Sequence, residues 1–331
     1  MQAIMYYKYG SPDVLKLQDV EKPAPMENEV LVKVHAAAVN PIDWHTMRAE
    51  PFLVRLGNGF FGPKKKTLGA DIAGRVEAVG KGATEFQPGD EVFGDIYAGR
   101  MGGFAEYTCA AESALTAKPD NLSFQEAAAV PVVAYTALQG LRDKGEIQSG
   151  QRVLINGASG GVGTFALQLA KYFGAEVTGV CSTRNLEMVR AIGADHVIDY
   201  TQEDFTKSGR RYDLIYDAVG NRSVSEYANA LNPQGRCVVV GMTTLWRLFH
   251  VLTVGAWVSR RSDKTIGFMG FAQANKDDLN YIRGLLESGE IRPTIDRSYR
   301  LAECAEAIRY LETGRARGKV VISIDADAHT S

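Results

Sequence analysis

Two kinds of hydrophobic pattern divide the chain. From residue 30 to about residue 117, short runs of alternating apolar and polar positions are broken by glycine and by the turn Pro88-Gly89-Asp90. Alternation with a period of two, rich in β-branched residues, is typical of half-buried strands. This part of the sequence predicts a compact all-β unit, which we interpret as a small barrel.

A different pattern begins near residue 123. Ser123 is followed by Glu126 at the spacing of a capping box, and an alanine-rich helical stretch comes next. Beyond it, short apolar runs alternate with helical stretches, as in a parallel sheet covered on both faces. These runs are RVLIN, EVTGVC, HVIDY, YDLIYDAVG and GRCVVVG. We therefore predict an α/β fold with a doubly wound parallel sheet.

The last part of the chain returns to a mixed pattern after residue 271. It contains the helical stretch KDDLNYIRGLLESG, a strand at TIDRSYR, the helical stretch AECAEAIRYLETG and a last strand, KVVISI. We expect this tail to complete the first domain. The predicted domains are therefore residues 1–124 together with 272–331, and residues 125–271.

Composition narrows the possible functions. The 331 residues are 45% hydrophobic and 23% charged, and the formal net charge is −2, so no strong field attracts nucleic acid. The four cysteines form no CxxC pair and no disulfide framework. We see no signal peptide and no apolar run long enough to span a membrane. The sequence predicts a cytoplasmic protein that does not bind nucleic acid.

The strongest chemical signal is a glycine-rich turn from Gly157 to Gly163. It follows an apolar strand, opens a helix and is followed by a second strand within about 30 residues, which is the context of a dinucleotide site. Backbone N–H groups at a helix N-terminus bind a pyrophosphate. We expect the pyrophosphate at Ser159, Gly160, Gly161 and Val162. The alternative is that the glycines only allow a tight turn and close packing.

The end of the second strand indicates which dinucleotide binds. Ser182, Thr183 and Arg184 stand there, with no carboxylate for a ribose 2′-hydroxyl. All three side chains can donate to a 2′-phosphate, so we predict NADPH over NADH. The alternative is that Ser182 or Thr183 caps the next helix and Arg184 is solvated.

At this point the motifs resemble a known family. The chain resembles the medium-chain dehydrogenase/reductase superfamily, in its zinc-independent quinone oxidoreductase branch. The motifs that carry the resemblance, in chain order, are AAAVNPIDWHTMR, GADIAGRVEAVG, PGDEVFG, GGFAEYT, AAAVPVVAYTALQGL, GASGGVG, GADHVIDY, YDAVG and GKVVISI. The resemblance implies a GroES-like β-barrel domain for substrate and a Rossmann domain for NADP.

The residues at the zinc positions differ from those of the zinc-dependent relatives. Asn40 stands where their cysteine ligand falls, and Ala70-Asp71 where their His-Glu pair falls. No four-cysteine lobe is present, and we expect no metal. Without a Lewis acid, the favoured reaction is hydride transfer from NADPH to an electrophilic acceptor, either a quinone or an α,β-unsaturated carbonyl.

Candidate catalytic residues follow from the same resemblance. The Asn and Asp of the N-x-x-D motif, here Asn40 and Asp43, line the nicotinamide pocket of relatives. We expect Asn40 to donate an amide N–H to the acceptor oxygen or to the nicotinamide, and Asp43 to orient its neighbours. An Asx-type turn at Asn40 is the alternative. His45 and Tyr97 are candidate proton donors, although the proton can also come from water.

Further cofactor contacts are implied at five positions. Thr136 would reach the nicotinamide side, Tyr200 would lie by the 2′-phosphate unless it packs in the core, and Lys319 would reach the phosphate unless it is a surface lysine. Val219 and Gly241 would border the cofactor from the ends of later strands, together with residues 268–271.

Two segments leave the substrate and partners open. Residues 50–74 are aromatic and basic, and such a loop decides specificity. Residues 245–258 are apolar and could line a substrate pocket, form a dimer interface or give weak contact with a membrane surface. A homodimer is expected, with the strand KTIGFMG as the candidate edge. The alternative functions are an enoyl-thioester reductase and a non-catalytic NADPH-binding scaffold or redox sensor.

Overall fold

The computed structural model describes residues 1–324, and the chain divides into two compact units. Of the described residues, the first unit contains Met1–Val132, Ala274–Gly289 and residues 293–324, and the second contains Val133–Gln273 and Glu290–Arg292. The chain thus first passes from one unit to the other after Val132, whereas the sequence analysis placed this boundary at residue 124. At this point the Val132 N–H, in the first turn of the helix Pro131–Gln139, donates to the Asp71 side chain of the first unit at 2.9 Å.

Fifteen strands are present in the described chain. They are β1 (Gln2–Met5), β2 (Lys16–Asp19), β3 (Glu29–Val39), β4 (Asp71–Val79), β5 (Glu91–Asp95), β6 (Tyr107–Ala111), β7 (Leu115–Ala117), β8 (Arg152–Asn156), β9 (Glu176–Cys181), β10 (His196–Asp199), β11 (Tyr212–Asp217), β12 (Leu231–Val239), β13 (Thr265–Phe268), β14 (Ile295–Arg300) and β15 (Lys319–Ser323).

Eleven α-helices accompany these strands within residues 1–324. They are α1 (Pro41–Arg48), α2 (Val54–Asn58), α3 (Phe124–Ala128), α4 (Pro131–Gln139), α5 (Gly161–Tyr172), α6 (Leu186–Ala191), α7 (Val224–Ala230), α8 (Leu245–His250), α9 (Ala256–Arg261), α10 (Lys276–Glu287) and α11 (Cys304–Glu312). Between α8 and α9, Val251–Gly255 is wound as a π-helix. No helix of the described chain is long and apolar enough to cross a membrane.

The first unit is built on β-strands, as its alternating pattern predicts. Seven strands form one sheet in the order β14-β15-β3-β4-β5-β7, with β6 also paired to β3, and β1 and β2 form a separate pair. Val30, Val32 and Val34 of β3 are fully buried in its core. The last strand, β15, pairs antiparallel with β3, so the chain's tail completes this unit.

The second unit is the predicted doubly wound sheet. Its six strands are all parallel, in the order β10-β9-β8-β11-β12-β13. The strand order reverses between β8 and β11, and ligands bind at such switch points, beyond the carboxyl ends of the strands. The strand of KTIGFMG, β13, lies at one edge of the sheet, as expected.

The capping box at the start of α3 is confirmed. The Ser123 hydroxyl accepts the Glu126 N–H at 3.2 Å, and the Glu126 carboxylate accepts the Ser123 N–H at 2.8 Å. These bonds satisfy two N–H groups that a helix start leaves without partners.

Candidate active site and cofactor site

The glycine turn has a shape that only glycine permits. β8 ends at Asn156, Gly157 has a φ of +82°, and α5 begins at Gly161. A Cβ on Gly163 would lie 2.0 Å from the Gly157 carbonyl oxygen, so helix and turn touch through bare backbone. A Cβ on Gly160 would meet that oxygen at 3.5 Å, which is ordinary contact. Gly163 therefore keeps the turn closed. At Gly160, by contrast, the protein itself leaves room for a side chain, so the same space is open to a ligand.

The start of α5 fits the pyrophosphate of a dinucleotide. α5 has twelve residues, and its dipole places partial positive charge at Gly161 and Val162. Ser159 lies in the turn, where its hydroxyl accepts the Asn185 side-chain N–H at 2.9 Å. This bond ties the glycine turn to the loop after β9. The residues expected at the pyrophosphate therefore lie together at the carboxyl end of β8.

Asp217 organises the switch point, and the sequence reasoning missed it. This buried carboxylate ends β11, and one oxygen accepts the Asn156 side-chain N–H at 3.0 Å. The same oxygen accepts the backbone N–H groups of Val219 and Gly220, and the other accepts the Tyr227 hydroxyl. A charged residue closing the apolar run YDLIY was the available signal.

Val219 and Gly241 lie together at the carboxyl ends of β11 and β12. A Cβ on Gly241 would lie 2.2 Å from the Ala218 carbonyl oxygen, so the two loops touch through backbone. Thr136 stands in α4, half-buried, and its carbonyl oxygen accepts the Tyr216 hydroxyl at 3.0 Å. That these residues border the cofactor stays a prediction.

A carboxylate does stand beside the end of the second strand, contrary to the sequence expectation. Asp199 ends β10, whose register pairs it with Cys181 of β9, because parallel neighbours end at the same edge. The Thr183 hydroxyl donates to Asp199 at 2.5 Å, so its hydrogen is not available to a phosphate. Thr201 donates to the same carboxylate from its N–H and its hydroxyl. These hydrogen bonds lower the pKa of Asp199, so it is charged at neutral pH.

The remaining residues of this edge face solvent. Thr183 and Arg184 are exposed, Ser182 is half-buried and Tyr200 is 58% exposed. The alternative that Tyr200 packs in the core is therefore wrong. Binding of a 2′-phosphate by Ser182, Arg184 and Tyr200 stays a prediction.

We expect Asp199→Asn to increase the preference for NADPH over NADH. The change removes a negative charge next to the residues assigned to the 2′-phosphate, and like charges disfavour binding. The ratio of the two dissociation constants should move several-fold toward NADPH. Asp263→Asn removes the same charge at the amino ends of the strands and is the control. An unchanged ratio in Asp199→Asn would contradict this assignment.

In the first unit, Asn40 and Asp43 begin α1 and are both fully buried. One Asp43 oxygen accepts the Asn40 N–H at 2.8 Å, and the other accepts the Gly69 N–H at 2.9 Å. Burial raises the pKa of Asp43 to about 7, although these two bonds oppose the rise. These two bonds fix the Asp43 side chain against Asn40 and Gly69.

Asn40 is held at both ends of its amide. Its Nδ2 donates to Asp71 at 2.8 Å, and its Oδ1 accepts from the Lys319 Nζ at 2.5 Å. Asn40 is also the N-cap residue of α1, and its own N–H donates to the Asp43 side chain as in a capping box, so the local-turn role coexists with these contacts. An amide engaged in this way is fixed in one orientation, so we treat Asn40 as a positioning residue.

Lys319 does not occupy the place expected from the sequence. It is 3% exposed, and its Nζ donates to Asn40, to Asp71 at 3.2 Å and to the Val39 carbonyl at 3.4 Å. An ammonium has three N–H groups, and these three acceptors match them. The cause is the register of β15 on β3, which pairs Val320 with Val39 and sets Lys319 beside Asn40. Lys319 is thus a buried cation of the first unit, neither a surface lysine nor a phosphate ligand.

Two more carboxyl groups belong to this cluster, which we call the Lys319 cluster (Asn40, Asp43, Asp71, Asp95 and Lys319). Asp71 is fully buried and lies opposite Asp95 on the β4–β5 pair. Burial raises the pKa of Asp71, and Lys319 opposes that rise. Burial and the charge of Asp71 raise the pKa of Asp95 to about 7. Asp95 is the member that the sequence reasoning did not find, because it carries no motif.

His45 and Tyr97 have different positions. The His45 Nδ1 lies 2.6 Å from the Glu50 carbonyl oxygen, so Nδ1 carries a proton and donates it there. Burial lowers the pKa of His45, which leaves the ring neutral at pH 7 with an acceptor at Nε2. Such a ring is poorly suited to donate a proton. The Tyr97 N–H donates to Asp95 at 2.8 Å, and its side chain is 43% exposed.

Stability should depend on pH through Asp43. Its pKa is about 7 in the folded protein against an ordinary value of 3.8, so between pH 4 and 7 folding takes up a proton and stability falls as pH rises. Relative to Asp43→Asn, the wild-type free energy of unfolding should fall by up to about 4 kcal/mol across that range. Denaturant titrations at several pH values measure this. Parallel profiles for the two proteins would contradict it, and Asp19→Asn, on an exposed strand, is the control.

Within residues 1–324, no three His, Cys, Asp or Glu side chains converge into a group that could hold a metal ion. In the Lys319 cluster the positive charge beside the carboxylates comes from the Lys319 ammonium itself. The four cysteines are all buried and unpaired by disulfides.

Two family models match the chain. The alcohol dehydrogenase GroES-like domain matches residues 26–120, and the family described as zinc-binding dehydrogenase matches residues 192–322. The first match agrees with the predicted GroES-like domain.

Known proteins are similar over nearly the whole chain. A 2-methylene-furan-3-one reductase of Solanum lycopersicum is 39% identical, over 97% of this chain and 79% of the relative. The quinone oxidoreductase of Homo sapiens is 30% identical, over 97% of each chain. The solved quinone oxidoreductase from Coxiella burnetii superposes with a TM-score of 0.86 at 34% identity, over 98% of this chain and 99% of that one. The chain belongs to the medium-chain dehydrogenase/reductase superfamily, in its quinone oxidoreductase branch.

Proposed function

We propose that the protein is an NADPH-dependent oxidoreductase that reduces a quinone or an α,β-unsaturated carbonyl without zinc. The observation that carries the proposal is the Lys319 cluster. Asn40 and Asp71 stand at positions where zinc-dependent relatives have ligands, and here they bind an ammonium, at 2.5 and 3.2 Å. Relatives named as a 2-methylene-furan-3-one reductase and as an NADPH-dependent alkenal/one oxidoreductase support it.

The second unit fits NADPH through its own residues. Gly163 keeps the turn closed, and the start of α5 offers backbone N–H groups to a pyrophosphate. Ser182, Arg184 and Tyr200 would hold the 2′-phosphate. The bound cofactor would supply a hydride, which a conjugated acceptor takes at carbon while spreading the charge to its oxygen.

In the first unit, the Lys319 cluster fixes the residues assigned to the active site. Lys319 and Asp71 hold the Asn40 amide in one orientation, and Asp43 holds the start of α1 against Gly69. Rigid positioning of this kind aligns reacting groups.

The test is NADPH oxidation by the chelator-treated protein under anaerobic conditions. An ortho-quinone, a simple enone and an enoyl thioester are offered separately. Turnover of the quinone or the enone above that of the thioester is expected. No turnover with tight NADPH binding would favour the non-catalytic scaffold instead.

A second candidate is an enoyl-thioester reductase. The enoyl reductase CurK superposes with a TM-score of 0.84 at 25% identity, over 98% of this chain. The basic run Lys64 to Lys66 could meet coenzyme phosphates. Faster turnover of the thioester than of the free enone would favour this candidate.

The assembly and the compartment are also proposals. A homodimer through the edge strand β13 would extend the six-stranded sheet across a two-fold axis. Cytoplasmic placement is supported by four buried cysteines that form no disulfide.

A further inference from the structure

The loop of residues 51–66, which we call the 51–66 loop, presents aromatic side chains to solvent in the first unit. It lies between α1 and β4 and contains the short helix α2. Phe52, Phe60 and Phe61 are 57%, 53% and 99% exposed. The Phe60 ring contacts the other two edge to face, with ring centres 5.7 and 5.3 Å apart. Exposed rings of this kind are favourable contacts for the apolar part of a ligand.

The charge of the 51–66 loop is one-sided. It contains Arg55, Lys64, Lys65 and Lys66 and no aspartate or glutamate, although the whole chain has a net charge of −2. Cations gathered at one place on a nearly neutral protein raise the local concentration of anions. The loop therefore combines ring surfaces with positive charge.

Arg55 is the cation of this loop that is best suited to hold an anion. Its guanidinium is 5.0 Å from the centre of the Tyr9 ring and 5.2 Å from that of the Phe52 ring. In the described part of the chain no carboxylate pairs with it, and its buried Nε has no hydrogen-bond acceptor. Arg48 of α1, by contrast, donates to both carboxylate oxygens of Glu312. A guanidinium that is oriented by rings and has no carboxylate partner leaves its N–H groups for the oxygens of a ligand.

Lys64 extends from the same turn as Arg55. The Lys64 N–H donates to the Asn58 carbonyl at 2.7 Å, and the Gly59 N–H donates to the Arg55 carbonyl at 2.9 Å. Gly59 has a φ of +116°, and a Cβ there would lie 2.2 Å from the Gly62 carbonyl oxygen, so the turn requires glycine. The Lys64 side chain is exposed. The turn thus offers a second cation near the guanidinium.

Hydrogen bonds join the 51–66 loop to the Lys319 cluster. The Lys65 Nζ donates to the Tyr97 carbonyl at 2.9 Å, and the Tyr97 N–H donates to Asp95 at 2.8 Å. Just beyond the loop, the Gly69 N–H donates to Asp43 at 2.9 Å. The loop therefore lies beside the part of the first unit that is assigned to the active site.

We propose that the 51–66 loop binds an anionic group of the acceptor, a carboxylate or a phosphate, with Arg55 as its main ligand and Lys64 as a second cation. This inference rests on the proposed reductase function and adds the class of acceptor, a conjugated carbonyl compound that carries a negative charge. The exposed rings pack on its apolar part, and the guanidinium donates to two oxygens of its anionic group. The anionic group holds the acceptor and takes no part in hydride transfer.

The experiment is a calorimetric titration of the NADP⁺-saturated protein with three saturated ketones, which have no conjugated double bond to reduce. One carries a carboxylate on a short saturated chain, one is the methyl ester of that compound, and one carries a phosphate monoester on the same chain. The carboxylate, the phosphate or both should bind roughly tenfold more tightly than the neutral ester, and added salt should weaken this preference. The anion that binds more tightly identifies the group.

Variants assign the preference to the loop. Arg55→Gln should bring the affinity ratio of anionic to neutral ketone close to one, whereas Arg55→Lys keeps the charge and should retain part of the ratio. Lys64→Gln should lower the ratio by a smaller factor. Lys81→Gln is the control, because this exposed lysine follows β4 at the end opposite to Asp71, and the ratio should not change. Circular dichroism and NADPH binding establish that each variant is folded.

Turnover of the matching conjugated enones separates this inference from the proposed function. The anionic enone should have the higher kcat/KM, mainly through a lower KM, because the charge contributes equally to binding the ground state and the transition state. Reduction of anionic and neutral enones at equal kcat/KM would support the reductase and contradict the anion site. Anionic ketone binding that Arg55→Gln removes, without reduction of any enone, would support the anion site and contradict the reductase.

Two binding results would overturn the proposal. One is equal affinity of the wild-type protein for all three ketones at low salt. The other is a preference for the anionic ketones that survives Arg55→Gln combined with Lys64→Gln.

Discussion

Lys319→Met is expected to lower the free energy of unfolding by about 3–5 kcal/mol, the usual cost of leaving one partner of a buried ion pair alone. Lys319 is 3% exposed and Asp71 is fully buried, and their N–O distance is 3.2 Å. Removing the ammonium leaves the Asp71 carboxylate without its cation. It also leaves the Asn40 Oδ1 without a donor. Urea unfolding measures the loss.

A double variant separates the ion pair from simple packing. Lys319→Met combined with Asp71→Asn removes both charges, so it should regain much of the stability lost in the single variant. The deficit of the single variant should also shrink in acid, where Asp71 becomes protonated, because burial already raises its pKa. A single and a double variant that are equally unstable at every pH would contradict the assigned pair.

Gly163→Ala is expected to open the glycine turn. A Cβ there would lie 2.0 Å from the Gly157 carbonyl oxygen, so the backbone must move. Overpacking of this kind costs about 1–3 kcal/mol or more. The displaced turn should also weaken NADPH binding roughly tenfold or more, because the start of α5 no longer meets the pyrophosphate. Thermal unfolding and a fluorescence titration with NADPH measure the two effects.

Gly160→Ala is the matched comparison. Its Cβ would lie 3.5 Å from the nearest atom, the Gly157 carbonyl oxygen, and its φ of −85° suits any residue. We expect normal stability and weaker NADPH binding, since the new methyl group would stand where the pyrophosphate approaches. Unchanged NADPH affinity in both variants would remove the glycine turn from the cofactor site.

The sequence predicted the two architectures well because periodicity is a local signal. The alternating run around Val30 to Val34 and the alternation of strands and helices after Arg152 both appear as predicted. The predicted boundary between the units, at residue 124, was less accurate. The hydrogen bond from the Val132 N–H to Asp71 joins residues far apart in the sequence, and no local pattern announces it.

Contacts between residues far apart in the sequence also limited the prediction of the candidate site. The glycine turn could be located from the sequence, because its function depends on consecutive residues. The environment of Thr183 could not be predicted from the sequence, because its partner Asp199 comes from a neighbouring strand. Lys319 was assigned to a phosphate, whereas the pairing of β15 with β3 places it beside Asn40. Residue type alone does not tell whether a lysine near the end of the chain is buried.

Transfer of deuterium from NADPH labelled at the reactive C4 position tests the proposed reaction most directly. Chelator-treated protein is given the labelled cofactor and a simple enone without oxygen, and the product is analysed by mass spectrometry and NMR. We predict one deuterium at the β-carbon of the saturated ketone, with the α-hydrogen taken from water. A saturated product without deuterium at the β-carbon, or an enone returned unchanged beside fully bound NADPH, would contradict metal-free hydride transfer by this protein.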